Sequence, residues 1–401
     1  VATLIDHQSR AHARLSGSVA SIFTKCTAAP SLWEGRIRKA TAFTREGTAA
    51  HELSDAILTG GAVPTTTITV EGEAIEVTDE MRVAVNDYVA YINVLRESAD
   101  WHAIEQRFTM DLLWHPNEAP EPMFGSADYV GVSGPVLDVA DLKFGKGVPV
   151  SAENNAQLLF YATGVWLWLL ENRSDLASKI ERVRLHIVQP RISTVPSTAE
   201  ITLLDLLMWA EEILKKSVDD ITAGNTSFKA GAHCGFCLGK GVCPELAAEA
   251  MKAAKNVFPP APPQTISDDE IGEALTRAEL VSMWLNGVRA EVETRIRHGK
   301  KVPGFKMVEK KGYRQWTNAN DVLGFLAEEF QTQPTMFQSE PELLSPAQVE
   351  KKLKAMGEDP AILSPYITAP TTGLTLVPET DKRPPATNIT PSEVFGVVEG
   401  E

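Results

Sequence analysis

Asp141-Leu142-Lys143 has the residue types and spacing for hydrolytic chemistry. The run Val136 to Lys143 reads as a strand, where residues two apart project to the same side. The Asp141 carboxylate and the Lys143 ammonium therefore emerge together. Asp128, in Gly125-Ser126-Ala127-Asp128, lies on a second strand-like run, Phe124 to Val132, with Ser133-Gly134 as the turn between the two. Small neighbours leave room beside that carboxylate. Two carboxylates converging from paired strands can hold Mg²⁺ or Mn²⁺, hard cations that take oxygen ligands. A lysine beside the metal can orient or deprotonate an attacking water and steady the charge developing on phosphorus. Asp138 has the opposite parity and no lysine two residues on, so it falls outside this set. The triplet by itself is unspecific: Glu309-Lys310-Lys311 and Glu350-Lys351-Lys352 repeat it, and a strand-edge salt bridge is the plain alternative.

Further polar groups follow at helical spacing. Gln157 and Tyr161 are four apart on the next helix and share a face; otherwise they are a helix-start polar residue and a core aromatic. His51, one of eight histidines, is a candidate imidazole ligand or a hydrogen-bonded core histidine. Glu105 is a further acid, expected behind the direct ligands.

The chain has four cysteines, Cys26, Cys234, Cys237 and Cys243. The last three form C-x₂-C-x₅-C, and Cys26 lies more than 200 residues upstream. Four thiolates suit Zn²⁺ or an iron–sulphur cluster. Zinc ribbons usually supply two CxxC knuckles. One knuckle, a loose third cysteine and a remote fourth suit a [4Fe–4S] cluster, with Cys26 fastening the N-terminal segment to the later loop. Four unrelated buried thiols are the remaining alternative.

The elements that must position these groups follow from periodicity. Residues 1–55 read as mostly helical and basic, and residues 60–77 as a loop with a short hairpin. A helix capped at Thr78 runs to about Ser98, with Met81, Val85, Tyr88, Val89 and Ile92 on one face. Ile104 to Leu112 is a strand. Asn154 to Leu170 is an apolar helix. Val183 to Gln189 alternates as a strand, Glu200 to Leu203 is another, and Leu204 to Ile221 is an amphipathic helix. After a short helix, Glu245–Lys255, four prolines within residues 259–263 make a stiff linker. Beyond it come a long helix from Asp268 to Arg297, a basic hairpin from Val302 to Trp316, one or two helices, and a Pro/Thr-rich end from Thr371.

The 401 residues allow two or three domains, and 43% hydrophobic with 23% charged residues is ordinary globular composition. No apolar run approaches the ~20 residues of a membrane span, and no signal peptide is visible, so a cytosolic protein is expected. A net charge of −15 argues against non-specific coating of nucleic acid but leaves room for a local basic channel. Basic residues concentrate in residues 1–50 and 285–320.

Taken together, Gly47-Thr48-Ala49-Ala50-His51, Gly125-Ser126-Ala127-Asp128, Asp141-Leu142-Lys143 and Gln157-x-x-x-Tyr161, enclosed by Cys26 and C-x₂-C-x₅-C, resemble the RecB-like branch of the PD-(D/E)XK nucleases in its iron–sulphur form. That branch includes AddB-type helicase–nucleases and the small CRISPR-associated Cas-four exonucleases. Asp141-Leu-Lys-Phe-Gly-Lys-Gly with Asn155-Ala-Gln-Leu-Leu-Phe-Tyr-Ala is especially similar to a phage and prophage group that has long C-terminal extensions. The nuclease resemblance covers about residues 10–250.

The resemblance implies an α/β, restriction-endonuclease-like core: a central mixed sheet flanked by helices, with an iron–sulphur cluster and a mainly helical C-terminal extension. With the boundary drawn at the proline-rich stretch, the expected organisation is a nuclease domain over 1–256 closed by the four cysteines, a linker over 257–264, a mainly α-helical accessory domain over 265–370 and an extended tail over 371–401. His51, Asp128, Asp141 and the backbone carbonyl of Leu142 would bind Mg²⁺ or Mn²⁺. Lys143 would be the catalytic lysine, with Gln157 and Tyr161 beside it. Asp141 stands where Glu is commoner, which shortens the reach to the metal.

The expected function is a metal-dependent deoxyribonuclease, a phage-type exonuclease acting on DNA ends or single strands in recombination, replication or DNA processing, within a bacterial cell or phage-infected host. No G-x-x-x-x-G-K-[ST] phosphate loop occurs, so a helicase, polymerase or single-strand-binding protein would be a separate partner. The alternatives are a catalytically silent iron–sulphur or zinc protein for DNA binding or assembly, and a zinc-stabilised interaction protein. Lys300, Lys301, Lys306, Lys310, Lys311 and Arg314, interleaved with Phe305, Tyr313 and Trp316, are candidate DNA contacts. A solvated charged face or a partner surface is the alternative for that stretch.

Overall fold

The apolar run Val136–Leu142 forms a strand in which all seven residues are buried, the pattern of a strand covered on both faces. The computed structural model describes residues 13–34, 36, 40–114, 120–147, 149–257, 267–311, 315–331, 337–339, 342–356, 358–368 and 371–378. The chain divides into two compact units, Val1–Gly287 and Val288–Glu401.

The first unit runs α1 (Gly17–Phe23), α2 (Ala42–Thr59), a hairpin of β1 (Thr67–Val70) and β2 (Glu73–Glu76), α3 (Asp79–Glu97), β3 (Trp101–Thr109), β4 (Phe124–Ser133), β5 (Val136–Leu142), α4 (Ala156–Asn172), α5 (Ser174–Ala177), β6 (Arg182–Val188) and β7 (Ser197–Thr202). It continues with α6 (Leu203–Trp209), a π turn (Ala210–Lys215), α7 (Lys216–Ala223) and α8 (Pro244–Val257). Helix α9 (Asp268–Arg297) contains the division between the units. The five-stranded sheet has the order β3-β4-β5-β6-β7 and is mixed: β5 and β6 are parallel, and the other neighbours are antiparallel.

Helices cover both faces. Val130, Leu137, Val139, Leu185 and Ile187 share one core with Leu158, Phe160 and Val165 of α4. Tyr129, Ala140, Leu142 and Val188 share the other with Leu53 of α2 and Met81, Val85 and Ile92 of α3. Thr78 caps α3 by accepting from Met81 N–H, as its sequence predicts. Gly164 lets α4 approach β3, because a Cβ there would sit 2.0 Å from the Phe108 ring. The expected single helix over 204–221 is an α–π–α run.

The second unit contains β8 (Phe305–Lys311), β9 (Gln315–Trp316), α10 (Ala319–Glu329), β10 (Gln338–Ser339), β11 (Glu342–Leu343), α11 (Pro346–Met356), β12 (Ile367–Thr368) and β13 (Thr371–Pro378). The expected hairpin over 302–316 is absent among the described residues. Its two strands pair elsewhere, β8 with β13 and β9 with β12. Met307 and Val308 are buried, and the Thr/Leu/Val pattern of Thr371–Pro378 supplies a partner strand. The unit is therefore mixed rather than mainly helical, around a core of Val322, Leu326, Val349 and Leu353. Residues 258–264 of the expected linker lie outside the described residues. No helix among the described residues is long and apolar enough to cross a membrane.

Candidate active site

Asp128 and Asp141 come from neighbouring central strands, and Lys143 follows β5, fixed by its N–H donating to Val188 O at 2.8 Å. Gln157 lies in the first turn of α4. The Asn155 side chain caps that turn, accepting from Gln157 N–H at 3.1 Å and Leu158 N–H at 3.2 Å. His51 lies on α2, whose buried side carries Ala49, Ala50 and Leu53. His51, Asp128, Asp141, Lys143, Gln157 and Tyr161 line one cleft of about 420 Å³.

The contacts form a chain. His51 Nδ1 lies 3.3 Å from Asp128 Oδ2, which also accepts from Leu142 N–H at 2.8 Å. Lys143 Nζ lies 2.8 Å from Asp141 Oδ2 and donates to Gln157 Oε1 at 2.8 Å. Gln157 Nε2 donates to Asp141 Oδ1 at 3.1 Å and to Tyr161 Oη at 2.8 Å. The Lys143 ammonium is thus shared between Asp141 Oδ2 and Gln157 Oε1, and Asp141 is held from both sides.

Charge distribution follows from burial and proximity. Burial depresses the His51 imidazole, but the Asp128 carboxylate outweighs it and raises the group to about 9. His51 is thus an imidazolium paired with Asp128, and becomes a ligand on losing that proton. Burial raises Asp128, yet His51 and the Leu142 N–H bring it below the usual range. Burial raises Asp141, and the nearby Asp128 charge adds to this against the pull of Lys143. The Tyr161 phenol is pushed far up by burial and by Asp141 and Asp128, so it stays neutral.

Glu105 stands closer than expected. Ligand atoms of His51, Glu105 and Asp128 lie within 4.8 Å of one another. Glu105 has a φ of 52° in mid-strand, and the β3–β4 pairing steps from Ile104↔Tyr129 to Gln106↔Ala127 around it. Its carboxylate accepts from Ser126 Oγ at 2.6 Å. A left-handed backbone at a glutamate carries no local signal in the sequence. Asp138, set aside on parity, belongs to a different network. It accepts from Arg184 Nε at 2.7 Å and Nη2 at 3.0 Å, and lies 2.9 Å from His186 Nε2. Tyr91 Oη is 2.8 Å from His186 Nδ1.

The four cysteines are buried and free of disulfides. Cys26 and Cys237 pack with Ile22, Ala28 and Ala29. Cys234 and Cys243 pack with Leu246, Leu280 and Trp284, the last two from α9. Trp33 Nε1–H donates to Cys237 Sγ at 3.4 Å and Leu246 N–H to Cys243 Sγ at 3.5 Å. Burial pushes the Cys234 thiol up, and Cys237, Cys243 and Cys26 push it further.

Of the candidate DNA contacts in the second unit, Lys300 and Lys301 are exposed and Lys306 is half-buried. Lys310 and Lys311 lie on β8, and Arg314 and Tyr313 are outside the described residues. Trp316 does not offer a free stacking face as expected: it packs on the unit's core and its Nε1–H donates to Leu344 O at 2.9 Å.

Among solved structures, a putative exonuclease from Eubacterium rectale is similar over 53% of this chain and 82% of its own, at 12% identity and a TM-score of 0.30. A protein designated SSO0001 is similar over 57% of this chain and 95% of its own, at 12% identity and a TM-score of 0.26. Residues 12–384 match the family described as "Protein of unknown function (DUF2800)", and the chain belongs to that family.

Proposed function

We propose that the protein is a metal-dependent deoxyribonuclease that hydrolyses phosphodiester bonds at DNA ends or in single strands, serving recombination, replication or DNA processing. One observation carries this: two carboxylates from adjacent strands, a lysine and a capped glutamine converge in one cleft, with Asp141 held between the lysine and the glutamine. The like-charged pair Asp128 and Asp141, with the Glu105 carboxylate close by, suits a divalent cation. His51, Asp128, Asp141 and the Leu142 carbonyl would hold Mg²⁺ or Mn²⁺, with Glu105 joining them. The bound metal would polarise a phosphoryl oxygen and lower the pKa of a coordinated water.

The chain's own residues do the rest. Lys143 holds the attacking water and steadies the charge developing on the phosphate. Gln157 bridges Lys143 to Asp141 and fixes both, and Tyr161 fixes Gln157. His51 and the Leu142 N–H orient Asp128.

The four cysteines would hold a structural [4Fe–4S] cluster. One CxxC knuckle, a loose third cysteine and a remote fourth favour a cluster over one zinc ion. The Trp33 and Leu246 N–H groups directed at sulfur suit thiolate ligands.

The test is a time course with Mg²⁺ or Mn²⁺ on end-labelled linear DNA against closed circular DNA, using anaerobically purified protein. Loss of label from linear DNA with intact circles is the expected result. Binding without cleavage of either would replace this reading by a DNA-binding or assembly role.

A further inference from the structure

A second cleft, of about 480 Å³, adjoins the first. The two share Arg107, Phe124 and Gly125. Its walls are aromatic, with the half-buried Phe124 from the sheet and Trp168 from α4 above the buried Phe108. Trp168 is held in place by Trp101, stacked on it at 5.5 Å between centroids and 22° between planes. Arg107, on the shared wall, is exposed, and its guanidinium makes no ion pair or hydrogen bond among the described residues. Glu171, also exposed, lines the second cleft only.

We propose that this second cleft is a nucleobase subsite: it takes the base beside a phosphate gripped by Arg107 and favours bases carrying an exocyclic amine, a role that rests on the nuclease reading above. A DNA strand leaving the carboxylate cleft meets Arg107 on the shared wall, where the guanidinium can take a phosphate in bidentate fashion. The backbone does not continue into the second cleft. Arg107 is the only cation lining it among the described residues, and the Glu171 carboxylate repels phosphate. A base suits it on both counts. Aromatic walls stack any base, and a carboxylate accepts a hydrogen bond from an amine such as cytosine N4, which thymine lacks. A base on such a wall has left its own stack, so the substrate strand is single or frayed at its end. The cleft thus favours single-stranded DNA over intact duplex.

Fluorescence anisotropy in EDTA tests this apart from cleavage. Single-stranded oligonucleotides carry an abasic site moved one position at a time. One position should weaken wild-type binding by about 5- to 100-fold while its neighbours change little. Phe124→Leu should weaken binding of the intact oligonucleotide and abolish the response to that position. Glu171→Gln should remove a preference for oligo-dC over oligo-dT. Arg107→Ala, at an exposed position outside the core, should weaken all sequences alike and lower the salt slope by about one. A flat abasic scan, unchanged scanning in Phe124→Leu, or no binding of single strands overturns the subsite. Cleavage of end-labelled DNA with a flat scan removes the subsite alone. Absence of cleavage with metal is a separate readout and removes the nuclease reading.

Discussion

Replacing Lys143 by Ala separates chemistry from architecture. The ammonium is 27% exposed and stands 2.8 Å from both Asp141 Oδ2 and Gln157 Oε1. Its loss leaves Asp141 with the Gln157 hydrogen bond alone. Breaking a fully buried pair costs about 3–5 kcal/mol. Here the partial exposure reduces that, and the Asp141 carboxyl, already raised by burial, can take a proton. A cost of about 1–2 kcal/mol follows, or a Tm lower by roughly 2–8 °C at about 2–4 °C per kcal/mol for a unit of this size. Cleavage should fall far more, by about 10²- to 10⁴-fold, the range for a positioned proton-transfer group. That corresponds to about 3–5 kcal/mol of transition-state stabilisation. Binding of single-stranded DNA in EDTA should stay within about threefold, because the lysine acts mainly on the transition state. Lys143→Arg refines the test: it keeps the charge but cannot give up a proton. Partial activity would mark an electrostatic role, and complete loss a general base. Initial rates on end-labelled DNA decide it. A Lys143→Ala rate within tenfold of wild type refutes the site assignment.

Three further outcomes are expected. Cys26→Ala should lose iron and stability together, measured by iron content and thermal melting; full iron with an unchanged Tm would refute four-cysteine ligation. Asn155→Ala removes the cap of α4 and should cost about 1 kcal/mol in denaturant unfolding, with a drop in cleavage because Gln157 N–H is one of its two partners; undiminished cleavage would separate cap from site. Burial raises the Asp138 carboxyl, but its bonds to His186 and Arg184 bring it below the usual range. Its contribution is therefore complete above the unfolded carboxylate value of about 3.9 and lost as pH falls through the folded one. The stability gap between wild type and Asp138→Asn should hold near neutral pH and close below about pH 4; a gap unchanged into strong acid would contradict the network.

The candidate site was legible where regular geometry governs. Strand parity put Asp141 and Lys143 on one face and Asp138 on the other, and helical spacing joined Gln157 to Tyr161. Cysteine counting linked Cys26 to a motif more than 200 residues away. The departures occur where local pattern is silent. Glu105 joins His51 and Asp128 through a left-handed backbone that alternation cannot anticipate. The partner of β8 is β13, beyond α11, so a neighbouring strand was expected instead. The role of α9 was also hidden, because a proline-rich stretch looked like the end of the first unit. Leu280 and Trp284 nevertheless pack beside Cys234 and Cys243.

That packing sets an order of events during synthesis. Contacts such as Trp33 to Cys237 join residues 204 apart, so the part of the N-terminal segment around Cys26 and Trp33, unlike Leu15, Ala20 and Phe23 in the sheet's core, cannot be fastened until the cysteine loop has left the ribosome. Leu280 and Trp284 emerge later still. The sheet can form beforehand, since its five strands are complete by Thr202. Closure is thus the last step of the first unit's assembly, and loop-closure entropy opposes it until the cysteine loop is present. A nascent chain halted before residue 280 would carry a formed sheet with its N-terminal segment and cysteine loop still incompletely covered. Covering of the cysteine loop by α9, rather than sheet formation, would then set the yield of folded protein.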